Sequence, residues 1–436
     1  MLSSIIFILV LGVAIFLFSR KVRKISREIN LGRDIRIDDH KPLRWKRMFF
    51  IAIGQQKMLD RPIAALMHIF VYVGFIIVNI EMLEILTDGI LGTHRAFSFI
   101  GGVYPVLISA FELVALAVIF GCIIFLLRRN VVRVGRFWNK EMTRWPRTDA
   151  NIILITEIFL MSSILIMNAT DGILQNRPDA HYAQVGSFAF SQAIQPVFAG
   201  MSAESLTLIE RFCWWFHIVG VLAFLNYIPY SKHFHVFLSF PNVYYSKLRP
   251  KGEMVNMPAV TREVQLMLSG DYSEPAGEEE PLLLGAKDVH ELTWKHLMDA
   301  YTCTECGRCT SSCPANITGK KLSPRKIVMD TRDRLEEVGR GIKPQNMNEK
   351  IGIEDGRSLF DYITNEELWA CTTCNACAQE CPVNIDPMAI ILEMRRHLVM
   401  ERSEAPAPLN SMFANIENNG APWQYSQEDR LQWVEK

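Results

Sequence analysis

Eight of the ten cysteines fall into two runs of identical spacing: Cys303, Cys306, Cys309 and Cys313-Pro314, then Cys371, Cys374, Cys377 and Cys381-Pro382. Three cysteines at steps of three wrap one corner of an iron–sulfur cubane, and the fourth leaves on another segment to reach the other cluster. Ligation is therefore expected to be crosswise. Cys381 completes the set of Cys303, Cys306 and Cys309, and Cys313 completes the set of Cys371, Cys374 and Cys377. The proline after each fourth cysteine fixes the exit of the chain and ends any preceding helix. The chemistry this implies is one-electron transfer by two 4Fe–4S clusters. Zinc sites pair two C-x2-C units, a scheme this spacing fits poorly. Cys122 and Cys213 stand alone in apolar segments, where a free cysteine packs as a small hydrophobe.

A second set of residues with chemical potential lies in or beside apolar segments: His68, His217, His233 and His235. An ionisable group inside a membrane segment is costly, which makes it a functional candidate. His217 and His235 are eighteen residues apart, five helical turns, so a continuous helix would point both from one face. On that helix His233 falls nearly opposite, although Pro229 is placed to bend it. Histidines from two helices at one membrane depth are what bis-imidazole haem ligation requires, and His68 and His235 meet that condition.

The elements that must position these groups divide the chain in two. Half of the 436 residues are hydrophobic and 21% are charged, with no net charge. The apolar residues crowd into the first 240 positions, so a membrane part is expected and nucleic acid is not an expected partner. Five stretches are long enough to span a bilayer: Leu2–Phe18, Pro62–Leu86, Val103–Leu127, Asn151–Ile173 and Ile209–Tyr230. Basic residues follow the first stretch instead of preceding it, and no cleavage site is visible, so it reads as a retained anchor. Lys and Arg crowd the first and third connections, whereas the second holds only Arg95 and the fourth only Arg177. Basic connections stay inside, which places the N-terminus outside and the chain beyond the fifth span in the cytoplasm. Residues 1–240 are thus a membrane domain, 241–289 a linker with the acidic stretch Ser269–Pro281, and 290–436 a cytoplasmic cluster domain. Apolar residues at three- and four-residue steps make that last domain helical. The fold class is all-α.

On these residues the chain resembles known families. The segment His217-x11-Pro229-Tyr230-Ser231-Lys232-x2-His235 resembles the ligand helix of the gamma subunit of respiratory nitrate reductase, a five-span haem b protein, and of the membrane subunit of heterodisulfide reductase. The resemblance implies that His68 and His235 ligate a haem b on the cytoplasmic side. His217 matches the ligand of an outer haem whose other ligand would lie ten residues after His68, where this chain has Val78. One haem is expected and two stay open, because His94 or His181, in outer connections, could substitute for the missing ligand. Gly54-Gln55-Gln56 recurs in related proteins. Almost sixty residues separate the two cysteine runs, as in helical ferredoxins. The runs TWKHLMDAYTCTECGRCTSSCPA, LWACTTCNACAQECPVNIDP and NNGAPWQ are similar to iron–sulfur proteins related to heterodisulfide reductase.

The resemblance implies a membrane-bound subunit, in the inner membrane of a prokaryote, that passes electrons between a cytoplasmic partner and quinone. The partner would be an electron-transferring flavoprotein or a protein with the CCG segments that hold a non-cubane cluster. This chain has no adjacent Cys-Cys pair, so a separate subunit is expected to supply that centre. Two other readings stay open: a self-contained quinone oxidoreductase, for which no G-x-G-x-x-G fingerprint is present, and a membrane-tethered ferredoxin without haem.

Overall fold

The structure, a computed structural model, describes residues 1–178, 182–250, 252–270, 283–342, 355–424 and 426–434. Among these residues the secondary structure is helical, with one isolated β-bridge between Arg33 and Thr293. Five helices are long and apolar enough to cross a membrane: α1 (Leu2–Ile29), α2 (Pro62–Leu91), α3 (Val103–Leu126), α4 (Arg144–Leu174) and α5 (Ala203–Tyr227). They close a ring: α1 packs on α2 and α5, α2 on α3, α3 on α4, and α4 on α5. Lipid cannot drive helix association by hydrophobicity, so close backbone approach matters. A side chain at Gly74 would come within 2.3 Å of Val118, so α2 and α3 touch there because the glycine has none.

The bundle turns its apolar residues outward and its polar residues inward. Leu9, Leu83, Phe120, Phe159 and Leu208 are exposed, whereas Glu81, Glu84, Glu112, Asn168, Asp171 and Glu210 are buried. This is the arrangement a hydrocarbon surround requires.

Helices run past the apolar stretches that announce them. α1 continues through the basic residues Arg20–Arg27, and its last turns pack on the cluster domain through Ile25. After Tyr227 the helix breaks at Pro229 into two short 3-10 turns, and α6 (His235–Tyr244) starts afresh at His235. The continuous-helix facing of His217, His233 and His235 is therefore replaced by a bent path. The expected linker is partly helical (Pro258–Ser269), and its residues 271–282 lie outside the described ones, as does His181.

The cluster domain is built on α7 (Trp294–Thr302), α8 (Pro324–Gly341) and α9 (Pro387–Arg396). One hydrophobic core joins it to the membrane domain: Ile25 and Leu31 from the α1 end and Phe224, Ile228 and Phe234 from the α5–α6 segment meet Leu297, Ile327, Leu335 and Ile391. Polar contacts reinforce the joint. Arg325, fully buried, pairs with Glu141 of the α3–α4 connection at 2.7 Å and donates to the Arg136 carbonyl at 2.7 Å.

Burial raises the Glu141 carboxyl, but hydrogen bonding from Ser323 and the Arg325 charge outweigh it and hold the group below its ordinary value near 4.5. The folded value lies below the unfolded one. The stabilisation is therefore complete above the ordinary glutamate range and is lost as pH falls through the folded value. Glu141→Ala strands a buried guanidinium, and a loss of about 3 kcal/mol is expected. Unfolding of the purified protein in detergent at neutral pH measures it, and the difference from wild type should shrink on acidification below the glutamate range.

Candidate cluster and cofactor site

The two cysteine loops have one conformation. In the first, Glu305 and Gly307 take positive φ (54° and 71°), and in the second Thr373 and Asn375 do so at matching positions (54° and 59°). Left-handed residues two and four places after the first cysteine bend each loop around a common centre, and a turn of helix follows, Arg308–Ser311 or Ala376–Glu380. Amides turn toward sulfur: Glu305 N donates to Cys303 Sγ and Thr373 N to Cys371 Sγ, both at 3.4 Å, and Ile385 N to Cys381 Sγ at 3.3 Å.

Burial pushes the Cys303 thiol up to about 12 and that of Cys381 to about 11. The two runs lie close enough for their thiols to influence one another. Cys309 senses Cys306, Cys303, Cys381 and Cys377, whereas Cys371 and Cys377 both sense Cys313. Among the described residues no three His, Cys, Asp or Glu side chains are grouped for a single metal ion. Two cysteines of each run are buried (Cys303 and Cys313, Cys377 and Cys381), Cys306, Cys309 and Cys371 are half-buried, and Cys374 is exposed.

On the membrane side a cavity of about 430 Å³ begins at Cys306, Thr304 and Val383 and runs into the bundle. His68, His217, His233 and His235 all line it. Nδ1 of His235 lies 3.0 Å from the Lys232 carbonyl, and Nδ1 of His217 lies 3.0 Å from that of Leu160. Each carbonyl selects the tautomer that leaves Nε2 as a lone-pair donor. Among the described residues, His217 Nε2 and His68 Nδ1 have no hydrogen-bond partner. His233 packs against His235, ring centroids 5.6 Å apart, because the broken helix brings both to one side.

The cluster-side rim is cationic. Arg128, Arg129, Arg136 and Arg308 line the cavity there, and buried nitrogens of Arg128 and Arg136 lack hydrogen-bond partners among the described residues. Burial, with the charges of Arg61, Arg128 and Arg308, pulls the Arg136 guanidinium down to about 10. That surplus of buried positive charge suits an anionic ligand. Gln55 also lines the cavity, with positive φ (52°). On its flank, Phe75 and Ile76 line the cavity while 42% and 51% exposed on the apolar surface, so it opens toward the lipid face.

One pair of residues ties the cavity to the clusters. Lys232, three positions before His235, forms an ion pair with Glu305, inside the first cysteine loop, which also pairs with Arg332 at 2.9 Å. Burial raises the Glu305 carboxyl, but the charges of Arg332 and Lys232 hold it below its ordinary value. Lys232 belongs to the His217–His235 segment, but no motif announces Glu305 as its partner or the arginine rim. In sequence these residues are ordinary charges of loops and helix ends, and only a long-range contact gives them a role.

A five-helix membrane bundle rigidly joined to a helical domain with twin cysteine loops defines a membrane-anchored iron–sulfur protein of the electron-transfer class. Residues 302–385 match the family described as the 4Fe-4S dicluster domain. The chain is similar to iron–sulfur oxidoreductases and, in its cluster region, to subunits of heterodisulfide reductase. It is 26% identical, over 99% of its length and 60% of the relative's, to the "Probable iron-sulfur-binding oxidoreductase FadF" of Bacillus subtilis. It is 25% identical to the EtfAB:quinone oxidoreductase of Syntrophomonas wolfei, over 98% of its own length and 59% of the relative's. One subunit of the ferredoxin- and F420H2-dependent CoB–CoM heterodisulfide reductase of Methanosarcina acetivorans is 35% identical over 24% of this chain and 49% of its own. The chain thus spans about three fifths of the length of the first two relatives. No solved structure matches it significantly.

Gly307 carries a consequence for the loop. A Cβ there would sit 2.5 Å from Arg325 Nη1, and the left-handed backbone adds roughly 1–2 kcal/mol for any residue with a side chain. Gly307→Ala should lower iron and sulfide per protein, whereas Asn375→Gly, at an equivalent left-handed position, should leave both unchanged.

Proposed function

We propose that this chain carries electrons between a soluble redox partner and the quinone pool, and that the cavity joining Cys306 to the lipid face is the observation that carries the reading. In this proposal each cluster takes its fourth cysteine from the other run. Cys371, Cys374, Cys377 and Cys313 hold the cluster that meets the partner, because Cys374 is exposed. Cys303, Cys306, Cys309 and Cys381 hold the one against the membrane domain, because Cys306 forms part of the cavity wall.

His68 and His235 are proposed to hold a haem b, with the buried Arg128 and Arg136 facing its carboxylates. When bound, that group supplies a one-electron carrier. The chain's own residues set its surroundings: Lys232 orients His235, the arginine rim balances charge, and the apolar α2–α3 walls exclude water. His217 Nε2 has no hydrogen-bond partner among the described residues, but α2 contributes Val78 and Met82, not a histidine, to the cavity wall around it. A second haem on His217 would therefore need its other ligand from an element other than α2.

The basic connections Arg20–Arg47 and Arg128–Arg147 lie on the same face of the bundle as the cluster domain, and Arg33, Arg44 and Glu141 contact it or the segment leading to it. Basic connections stay inside, so that face is taken as cytoplasmic. The name of the Syntrophomonas relative favours an electron-transferring flavoprotein as the soluble partner, and the heterodisulfide reductase relatives keep a CCG-bearing subunit as the second reading.

A pyridine haemochrome assay on the purified protein, with iron and sulfide quantified, tests the proposal. Wild type should show b-type haem, and His68→Ala and His235→Ala should each lose it with iron–sulfur content unchanged. A haem-free wild type would sink the haem assignment and leave the cluster domain standing.

A further inference from the structure

At the end of the bundle away from the cluster domain, carboxylates gather at a place that no motif marks. Glu81, Glu84, Asp88, Glu210 and Asp171 are buried there with Arg95, and His94 lies at the edge with 28% of its side chain exposed. Most of these groups are fixed by partners. Glu84 accepts from Tyr104 Oη (2.9 Å) and Phe97 N (2.9 Å). Asp88 accepts from Thr93 Oγ1 (2.6 Å), Arg95 N (2.9 Å) and Ala96 N (3.0 Å). Asp171 pairs with Arg95 at 2.6 Å, and Glu210 accepts from Tyr182 Oη at 3.0 Å.

Glu81 differs. It is 2% exposed, and among the described residues neither of its carboxyl oxygens has a hydrogen-bond partner. A buried carboxyl without partners is costly, and inside a membrane that cost marks a functional group. Together with Glu84, Asp88, His94, Arg95 and Glu210 it lines a polar cavity of about 10 Å³, the room one water needs. Along α2, Glu81 stands one helical turn from Val78 and next in sequence to Met82, both of which line the large cavity together with His217.

We propose that Glu81 is the inner end of a proton-transfer path linking the face opposite the cluster domain to the His217 end of the large cavity. The inference rests on the quinone reading above and adds the proton route that reading lacks. Quinone reduction consumes two electrons and two protons and forms two O–H bonds; quinol oxidation is the reverse. Electrons arrive one at a time from the cluster side. Each proton passes from the Glu81 carboxyl toward a quinone oxygen, and the carboxylate is reprotonated across the small cavity from the side of His94. That histidine is within 3.8 Å of Asp171 and 4.0 Å of Glu210. Electrons and protons thus reach the quinone from opposite ends of the bundle.

The test uses the full-length protein in liposomes, with dithionite-reduced methyl viologen as donor and a short-chain naphthoquinone as acceptor. Glu81→Gln should slow turnover by about a hundredfold, with KM for the quinone and the EPR signals of the clusters unchanged. Glu204→Gln, at an exposed carboxyl at the start of α5, should turn over normally. An unchanged rate in Glu81→Gln, or an equal loss in Glu204→Gln, overturns the path. A wild type that reduces clusters but not quinone refutes the quinone reading itself, which is a separate result. Carbodiimide treatment of wild type adds a check that needs no variant: turnover should be lost with the adduct on Glu81, and loss without that adduct overturns the proposal.

Discussion

The ion pair between Lys232 and Glu305 is the constraint on which the rest depends. Lys232 belongs to the segment that delivers His235, and Glu305 sits between Cys303 and Cys306. Both side chains are nearly out of solvent, and Arg332 completes the charge balance. In such surroundings a lone charge would be strongly destabilising, so the three groups hold one another in place. An electron carrier works only at a fixed spacing from its neighbour, and the protein's task is to supply that spacing. Here the cysteine loop cannot drift from the histidine cavity without uncovering a buried charge.

Around that clasp the two domains behave as one piece. Arg325 and Glu141 repeat the same device on the α3–α4 connection. Lys57, just before α2, donates to the Cys381 carbonyl (2.7 Å) and to Asn384 Oδ1 (2.8 Å), which binds the exit of the second cysteine run to the membrane domain. The shared hydrophobic core fills the space between these contacts. The bundle itself reaches into the joint: α1 extends beyond its apolar stretch because its basic half is a strut against the cluster domain.

Much of this architecture is legible in the amino-acid order. Five apolar stretches and the twin cysteine spacing announce the membrane bundle and the 4Fe–4S domain, since both signals are local and tolerate few alternatives. His68, His217 and His235 stand out by their cost inside apolar segments, and all three line one cavity. The path between His217 and His235 does not follow the simple helical spacing. Pro229 and Ser231 break the helix, and that break brings His233 into the cavity as well. What stays invisible in sequence is long-range. Lys232 and Glu305 are 73 residues apart, and Glu81 is one acid in a mostly apolar helix until its lack of partners among the described residues is seen.

The most direct test follows electrons through the joint. Wild type and Cys313→Ser, each purified anaerobically, would be mixed with a reduced flavoprotein too large to enter the cavity, and the absorbance of the haem proposed between His68 and His235 followed in time. Crosswise ligation predicts that Cys313→Ser loses the EPR signal of the partner-facing cluster and keeps the other, with haem reduction slower by about tenfold or more. Loss of the cluster built on Cys303, Cys306 and Cys309, or an unchanged rate of haem reduction, would contradict it.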